Sequence, residues 1–259
     1  MAAPDYTTDL PEGVELVRIF GGGLQPSPGL VDLFVRARSA YDWPAGTGAA
    51  TSQRTILSLE ATVGGLLALT PTGAHAIVEQ VSLWAGNNAL SHAAIARAPY
   101  ATKVQLQNAI TLLGPPGGPG PGLDALSALR GLSLVISTKV YRFCLPSIGA
   151  AVDRHASYFF NSLDVVSSSQ PSTKATHFLR EWTNGRHAST RLGIYSSAGY
   201  TRNRQEVTNC YLPLLSQIAG ELNKLGARYA CAATGLPQAW RPADVEMAAY
   251  YWWACNGSR

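Results

Sequence analysis

Lys139 and Asp153 are the residues of this 259-residue chain whose types and spacing point most directly to chemistry. Lys139 lies in Ser137-Thr138-Lys139-Val140-Tyr141-Arg142-Phe143-Cys144-Leu145-Pro146, and Asp153 in Ala150-Ala151-Val152-Asp153-Arg154-His155-Ala156-Ser157. The apolar repeat Val140, Phe143, Cys144 predicts a short helix capped by Ser137 or Thr138 and stopped by Pro146, with Lys139 in its first turn. Between Lys139 and Leu145 such a helix advances about 9 Å. The segment from Pro146 to Asp153 reaches up to about 23 Å when extended, so a turn at Ser147-Ile148-Gly149 can bring Asp153 back beside Lys139. An amine and a carboxylate meeting at a helix start can act as nucleophile and charge stabiliser. A structural ion pair, or two separate surface charges, is the alternative reading of the same residues.

The run Thr-Lys-Val, an apolar helix and then Val-Asp-X-His resembles the catalytic segment of helix-hairpin-helix DNA glycosylases, in particular the 8-oxoguanine glycosylase branch. The resemblance implies that Lys139 is the nucleophile, that Asp153 assists it, and that His155 contacts a DNA phosphate. The hairpin that carries Gly-X-Gly in that branch reads Leu132-Ser133-Leu134-Val135-Ile136-Ser137 here, and the separation of lysine and aspartate is shorter. Both features are similar to a looser bacterial group with the 8-oxoguanine glycosylase fold, which includes a glycosylase of anti-phage defence. Members of that group also tend to end in a segment like Arg241-Pro242-Ala243-Asp244-Val245-Glu246-Met247-Ala248. The likeness is specific over residues 131–160, weaker over 240–254 and thin elsewhere.

Net charge is only +4, but its distribution is uneven. Between Gly131 and Cys210 there are nine basic residues and four acidic ones, which leaves the rest of the chain near −1. Positive charge concentrated around Lys139 suits a polyanionic partner, because phosphate neutralisation supplies most nonspecific affinity for nucleic acid; a solvated basic face has the same composition. Arg142, Arg154 and Ser157, with Arg202 and Arg204 in the stretch Gly199-Tyr200-Thr201-Arg202-Asn203-Arg204, complete the expected phosphate contacts. The four cysteines, Cys144, Cys210, Cys231 and Cys255, form no Cys-X-X-Cys pair, which argues against zinc or a closely ligated iron-sulfur cluster. No metal or organic cofactor is expected. No stretch of eighteen apolar residues and no basic-then-apolar leader occurs, so the expectation is a soluble, cytoplasmic protein away from membranes; the resemblance implies a bacterial one, and a monomer is expected.

The elements that must position these residues read as helices almost throughout, so the expected fold class is all-α with any sheet minor: two packed helical halves with a cleft. Residues 1–113 form the first half and 123–259 the second. Residues 114–122, Gly-Pro-Pro-Gly-Gly-Pro-Gly-Pro-Gly, read as a linker or loop in which no helix survives. Residues 1–26 are expected to be irregular. Helices are expected over 28–41 with Arg36 and Arg38 facing out, 52–69, 73–85, 89–97, 101–113, 123–130, 155–163, 173–187, 205–225 with a bend at Pro213, and from Pro242 onward.

A glycosylase must flip its base out of the duplex into a pocket with stacking walls. Trp43, Trp240, Tyr250 and Trp253 are the candidate walls, with Asp42 beside Trp43, and Asp244 and Glu246 are placed to read hydrogen-bond donors on the base. An ionised Asp153 would stabilise positive charge developing on the sugar. Lys139 would attack C1′ only as the neutral amine, a state that a helix N-terminus and a buried position both favour; otherwise water guided by Asp153 attacks. The expected partner is double-stranded DNA containing a modified base, either a sugar-modified cytosine of phage DNA or an oxidised guanine. A noncatalytic helix-hairpin-helix DNA-binding module and a helical interaction protein without nucleic acid are the readings from other classes.

Overall fold

A computed structural model describes residues 9–41, 53–66, 70–85, 97, 99–129, 131–178, 182–183, 187–188 and 197–257. Asp42 and Trp43, and most of the helix expected over 89–97, lie outside the described residues.

The described chain is mostly helical with a small sheet. Strands β1 (Glu15–Arg18) and β2 (Leu24–Pro26) form a hairpin within the segment expected to be irregular. Its turn needs the positive φ of Gly21 and Gly22, which only glycine adopts without strain. Helix α1 (Pro28–Ser39) starts where Ser27 accepts the Leu30 N–H at 3.1 Å and Pro28 supplies a pre-set φ. The same Ser27 hydroxyl donates to Gly13 O at 2.6 Å and so ties the helix start to the strand before it. Leu30, Phe34 and Arg38 follow at i+4 spacing on the buried stripe. Arg38, expected to face out, is therefore on the inward face.

Helices α2 (Gln53–Leu66), α3 (Pro71–Trp84) and α4 (Tyr100–Thr111) follow. Pro71 opens α3 behind a Thr70 cap, which accepts Gly73 N–H at 3.0 Å. Helix α5 (Pro119–Ser127) begins inside the stretch expected to exclude helix. The reason is positional: the first N–H groups of a helix have no intrahelical partner, so Pro119 and Pro121 forfeit nothing there. Gly122 is required for a different reason. A Cβ on it would lie 2.7 Å from Leu113 N and 2.9 Å from Ala109 O, so only glycine lets α5 press against the end of α4.

Helices α6 (Leu134–Cys144) and α7 (Arg154–Ser162) carry the candidate chemistry. Beyond them β3 (Asp164–Val166) pairs parallel to β1 and antiparallel to β4 (Thr173–Lys174), giving the sheet order β2-β1-β3-β4. The helix expected over 173–187 is thus extended at its start. Thr173 pairs with Val165, and Lys174 pairs with Asp164, whose carboxylate its amine also reaches at 2.9 Å. Further on, β5 (Trp182–Thr183) pairs antiparallel with β6 (His187–Ala188).

Helix α8 (Ser197–Glu206) runs through a π-helical segment (Val207–Tyr211) into α9 (Leu212–Lys224). The irregularity expected at Pro213 falls just ahead of it, because Pro213 sits in the first turn of α9 and the wider turn precedes it. The hairpin β7 (Tyr229–Ala230) and β8 (Pro237–Gln238) leads to the last helix, α10 (Pro242–Asn256).

Helices α2 to α6 pack on one another, while α1, α7 and α9 gather around α10 and the sheet lies against α1, α7 and α9. The first group does not coincide with residues 1–113, since β1 pairs with β3 and α1 lies along α10. A buried ionic chain joins the groups. Arg38 donates from Nη2 to Asp244 Oδ1 at 2.9 Å, Arg241 Nε reaches Asp244 Oδ2 at 2.9 Å, and Arg241 Nη1 reaches Glu60 Oε2 at 3.0 Å. Glu60 Oε1 in turn meets Arg142 Nη2 at 2.9 Å. Every charge in this chain has an opposite neighbour, the condition under which buried ions are tolerated.

Candidate functional site

Ser133, not Ser137 or Thr138, caps α6, through a 3.4 Å bond from Ile136 N–H. The helix therefore starts a turn earlier than expected, and Lys139 lies at its middle rather than in its first turn. The helix start is therefore a turn or more away from the amine. Lys139 is 6 % exposed, and its Nζ lies 5.5 Å from the centroid of the Trp84 ring of α3. That ring stands edge-on to Phe143 at 4.9 Å.

Thr138 does something other than capping. Its Oγ1 donates to Val135 O at 3.0 Å and accepts the N–H of Val152 at 3.1 Å. The residue before Lys139 is thus bonded to the residue before Asp153. The return of the chain depends on Gly149, whose N–H donates to Leu145 O at 2.6 Å. A Cβ there would meet Tyr141 O at 2.8 Å and Leu145 O at 3.0 Å.

Asp153 is half-buried and is the N-cap of α7, where Oδ1 accepts Ala156 N–H at 3.0 Å. Two residues on, His155 stands edge-on to Tyr250 of α10 at 5.1 Å. Arg154 Nη2 approaches His155 Nε2 at 3.3 Å, a contact that favours the neutral ring, since a guanidinium can only donate. Burial lowers the His155 pKa below the usual value, with Asp153 opposing and Arg154 and Lys139 reinforcing the shift. Its Nδ1 is buried and has no hydrogen-bond partner among the described residues.

Glu246 faces this group from α10. It is 5 % exposed, and burial, reinforced by the nearby Asp153 charge, raises its pKa to about 8. Arg142, Lys139 and Arg38 pull the other way. Around it, the hydroxyls of Tyr41, Tyr211 and Tyr250 are all held well above the ordinary tyrosine range by burial, and each feels the charges of Glu246 and Asp153. Tyr211 donates to Ala151 O at 2.8 Å, which braces the segment leading to Asp153. Residues from α6, the 150–153 segment, α7, the π-helical segment, α10 and the end of α1 therefore converge on one buried, titratable region.

Several residues expected in the site are placed elsewhere. Asp244 is wholly buried, with both carboxylate oxygens engaged by Arg38 and Arg241; those two arginines hold its carboxyl below the usual range against the opposing effect of burial. It has no lone pair to spare for a base. Trp240 is a core residue, 5.0 Å from Tyr229 and 6.3 Å from Phe34, and Trp253 packs at 5.7 Å on Tyr158. Arg142 is 1 % exposed, paired with Glu60 and 4.2 Å from the Phe143 ring centroid, so it cannot reach a phosphate on the outside. Ser157 spends its hydroxyl on Asp153 O at 2.6 Å and Arg154 O at 3.0 Å. Arg204 pairs with Asp124 at 3.0 Å. Arg154 and Arg202 are exposed. Of the expected base-pocket residues, Glu246 and Tyr250 adjoin Lys139 and Asp153.

Trp84, Thr138, Tyr41 and Tyr211 are the participants that sequence reasoning left out of the site. Tyr41 had a signal, three residues past Arg38 on the buried stripe of α1, whereas Tyr211 is aimed by a π-helical turn that no residue pattern announces. Cavities of about 440 and 550 Å³ lie along α1, one beside Asp32, Arg36 and Trp252 and the other beside Val31 and Leu225; neither is lined by Lys139, Asp153 or Glu246. Among the described residues, no group of His, Cys, Asp and Glu is placed to hold a metal ion, and no helix is long and apolar enough to cross a membrane. Comparison of the chain with protein-family models, with curated proteins and with solved structures found no match.

Proposed function

We propose that the protein is a DNA glycosylase that excises a modified base from duplex DNA, with Lys139 as nucleophile and Asp153 as the group that stabilises charge on the sugar. The observation that carries the reading is the bond from Val152 N–H to Thr138 Oγ1, which keeps the lysine turn and the aspartate turn side by side. Further support comes from the buried titratable cluster around that pair, since strongly shifted groups gathered in one place are a mark of candidate functional sites. The resemblance over residues 131–160 supplies the reaction class.

In this reading the base is rotated out of the duplex, and electron density leaves the sugar with it as the C1′–N bond breaks. The role of the Asp153 carboxylate is to offset the positive charge left at C1′. A neutral Lys139 attacks C1′ and yields a Schiff base; if it stays protonated, water attacks and leaves a plain abasic site. A sugar-modified cytosine and an oxidised guanine are the two substrate classes in view, and the protein acts as a monomer on duplex DNA.

One observation favours a noncatalytic DNA-binding module as the second reading: the cap bond to Ala156 gives Asp153 a structural role of its own. The test is to incubate the protein with duplexes bearing 8-oxoguanine, or hydroxymethylcytosine with and without glucose, reveal abasic sites with alkali, and trap adducts with borohydride. Cleavage that disappears in Lys139→Gln and Asp153→Asn supports the glycosylase, and a trapped adduct assigns Lys139 as the attacking group. Salt-sensitive binding without abasic sites on any duplex overturns it in favour of the binding module.

A further inference from the structure

Helix α10 carries two buried carboxyls in one turn, and their surroundings are opposite. Asp244 is held by two arginines, while no hydrogen bond reaches the Glu246 carboxyl among the described residues. Nor is Glu246 alone in this: Arg142 Nη1, on the facing helix α6, and His155 Nδ1 are fully enclosed without partners among the described residues. Such groups are costly, and where they adjoin an unbonded carboxyl in a native site, a ligand that would complete them is a sufficient cause.

The groups facing Glu246 are Asp153 ahead of α7, Lys139 and Arg142 of α6, Arg38 and Tyr41 of and just after α1, Tyr211 of the π-helical segment, and Tyr250 one turn further along α10. Three of these are cations, yet none bonds to it, and the nearby carboxylate of Asp153 repels a second negative charge. Burial beside that charge favours the neutral form of Glu246.

Resting on the glycosylase reading, we propose that Glu246 is a base-reading residue that donates a hydrogen bond, as a carboxylic acid, to a lone-pair acceptor on the flipped base. The polarity is the reverse of that of a carboxylate reader. The site then selects bases that turn a carbonyl oxygen or an unprotonated ring nitrogen toward α10, and it discriminates against those that present only N–H donors there. Tyr250, one turn along the same helix, offers its ring as a wall.

The test compares wild type, Glu246→Gln and Glu246→Leu on whichever duplex the wild type cleaves. Glutamine keeps a donor of the same shape and leucine removes it. Wild-type kcat/KM is expected to fall as pH rises through about 8, where burial and Asp153 place the titration of this group. Glu246→Gln should stay within about tenfold of wild type at pH 7 and lose that alkaline limb, and Glu246→Leu should fall by about ten- to a hundredfold, the usual cost of an unmet buried hydrogen bond. In parallel, infrared difference spectra should show a carboxylic-acid carbonyl at pH 7 that is missing in Glu246→Gln and that moves when the cleaved duplex is added.

Unchanged activity in Glu246→Leu, an alkaline limb retained in Glu246→Gln, or a carbonyl signal absent at pH 7 or indifferent to the duplex overturns the donor role while leaving the glycosylase standing. A wild type that cleaves no duplex overturns the glycosylase reading and the donor role with it.

Discussion

Thr138 Oγ1 accepts the N–H of Val152 at 3.1 Å while donating to Val135 O at 3.0 Å, so one hydroxyl fastens the turn that carries Lys139 to the segment that carries Asp153. Thr138→Val preserves the shape and removes both bonds, leaving the buried Val152 N–H unmet. The expected result is a loss of about 1–3 kcal/mol in urea unfolding. A drop in excision larger than that of an equally destabilised core variant, with Thr138→Ser restoring both, marks the residue as positioning rather than merely stabilising.

Asp153 combines a cap with a charge, and substitutions separate the two. Asparagine caps helices as well as aspartate, so Asp153→Asn is expected to keep thermal stability within a few tenths of a kcal/mol of wild type while excision is lost, whereas Asp153→Ala loses the cap as well, at about 1 kcal/mol. Equal activity in Asp153→Asn and wild type would leave the cap as the residue's whole role. Thermal melts and the alkali assay on the same preparations decide this.

Asp244 holds the Arg38 guanidinium in a place where it cannot find water, and it also pairs with Arg241, whose side chain is partly exposed. Asp244→Asn is therefore expected to cost about 3–5 kcal/mol, measured by denaturant unfolding at pH 7, because it leaves a buried guanidinium without its counter-charge. The lowered carboxyl pKa has a defined sign: its contribution is present above the ordinary carboxylate value of 3.8 and is lost as pH falls through the lower folded-state value. Wild type should therefore show a late acid unfolding step that Asp244→Asn lacks.

Glu246 gives the opposite pH dependence. Between the ordinary value of 4.5 and about 8 the folded protein holds a proton that the unfolded chain has released. Stability from this group is therefore complete below 4.5 and is lost as pH rises through about 8, at up to roughly 1.4 kcal/mol per pH unit. Glu246→Gln should remove that slope, so its stability relative to wild type improves from pH 5 to pH 8. A constant difference over this range contradicts a neutral Glu246.

At Gly149 the close approach to Tyr141 O and Leu145 O leaves no room for a methyl group. Gly149→Ala is expected to destabilise by about 1–3 kcal/mol through forced backbone shifts. Because the turn returns the chain to Asp153, excision should fall further than stability alone accounts for, which a comparison at a temperature well below the melt will show.

Much of the helical frame was legible because it rests on local chemistry: Ser27-Pro28 opening α1, and Pro242 opening α10. The return of the chain from the turn of Lys139 to the segment of Asp153 was legible too, as a matter of chain length and one turn. What was not legible depended on distant partners. Arg38 looked like a solvent-facing charge until Asp244, 206 residues away, accounted for its burial. Thr173 and Lys174 read as helix because the strand that recruits them is distant in sequence, and the cap of α6 moved a turn upstream because Ser133, Ser137 and Thr138 are all competent caps. Trp240 and Trp253 show the limit for aromatics, whose type alone does not say whether a ring lines a pocket or fills a core.

The junction between α4 and α5 has a practical side. Pro115, Pro116 and Gly117 are exposed at the tip, whereas Gly122, five residues on, is wedged against Leu113 and Ala109. A fluorescent reporter spliced in after Gly117 would extend into solvent and leave the helices undisturbed, while the same cargo placed at Gly122 would prise them apart. The repetitive Pro/Gly run thus contains both the most permissive graft point on this face of the molecule and one of the least, within the length of a single helical turn and a half.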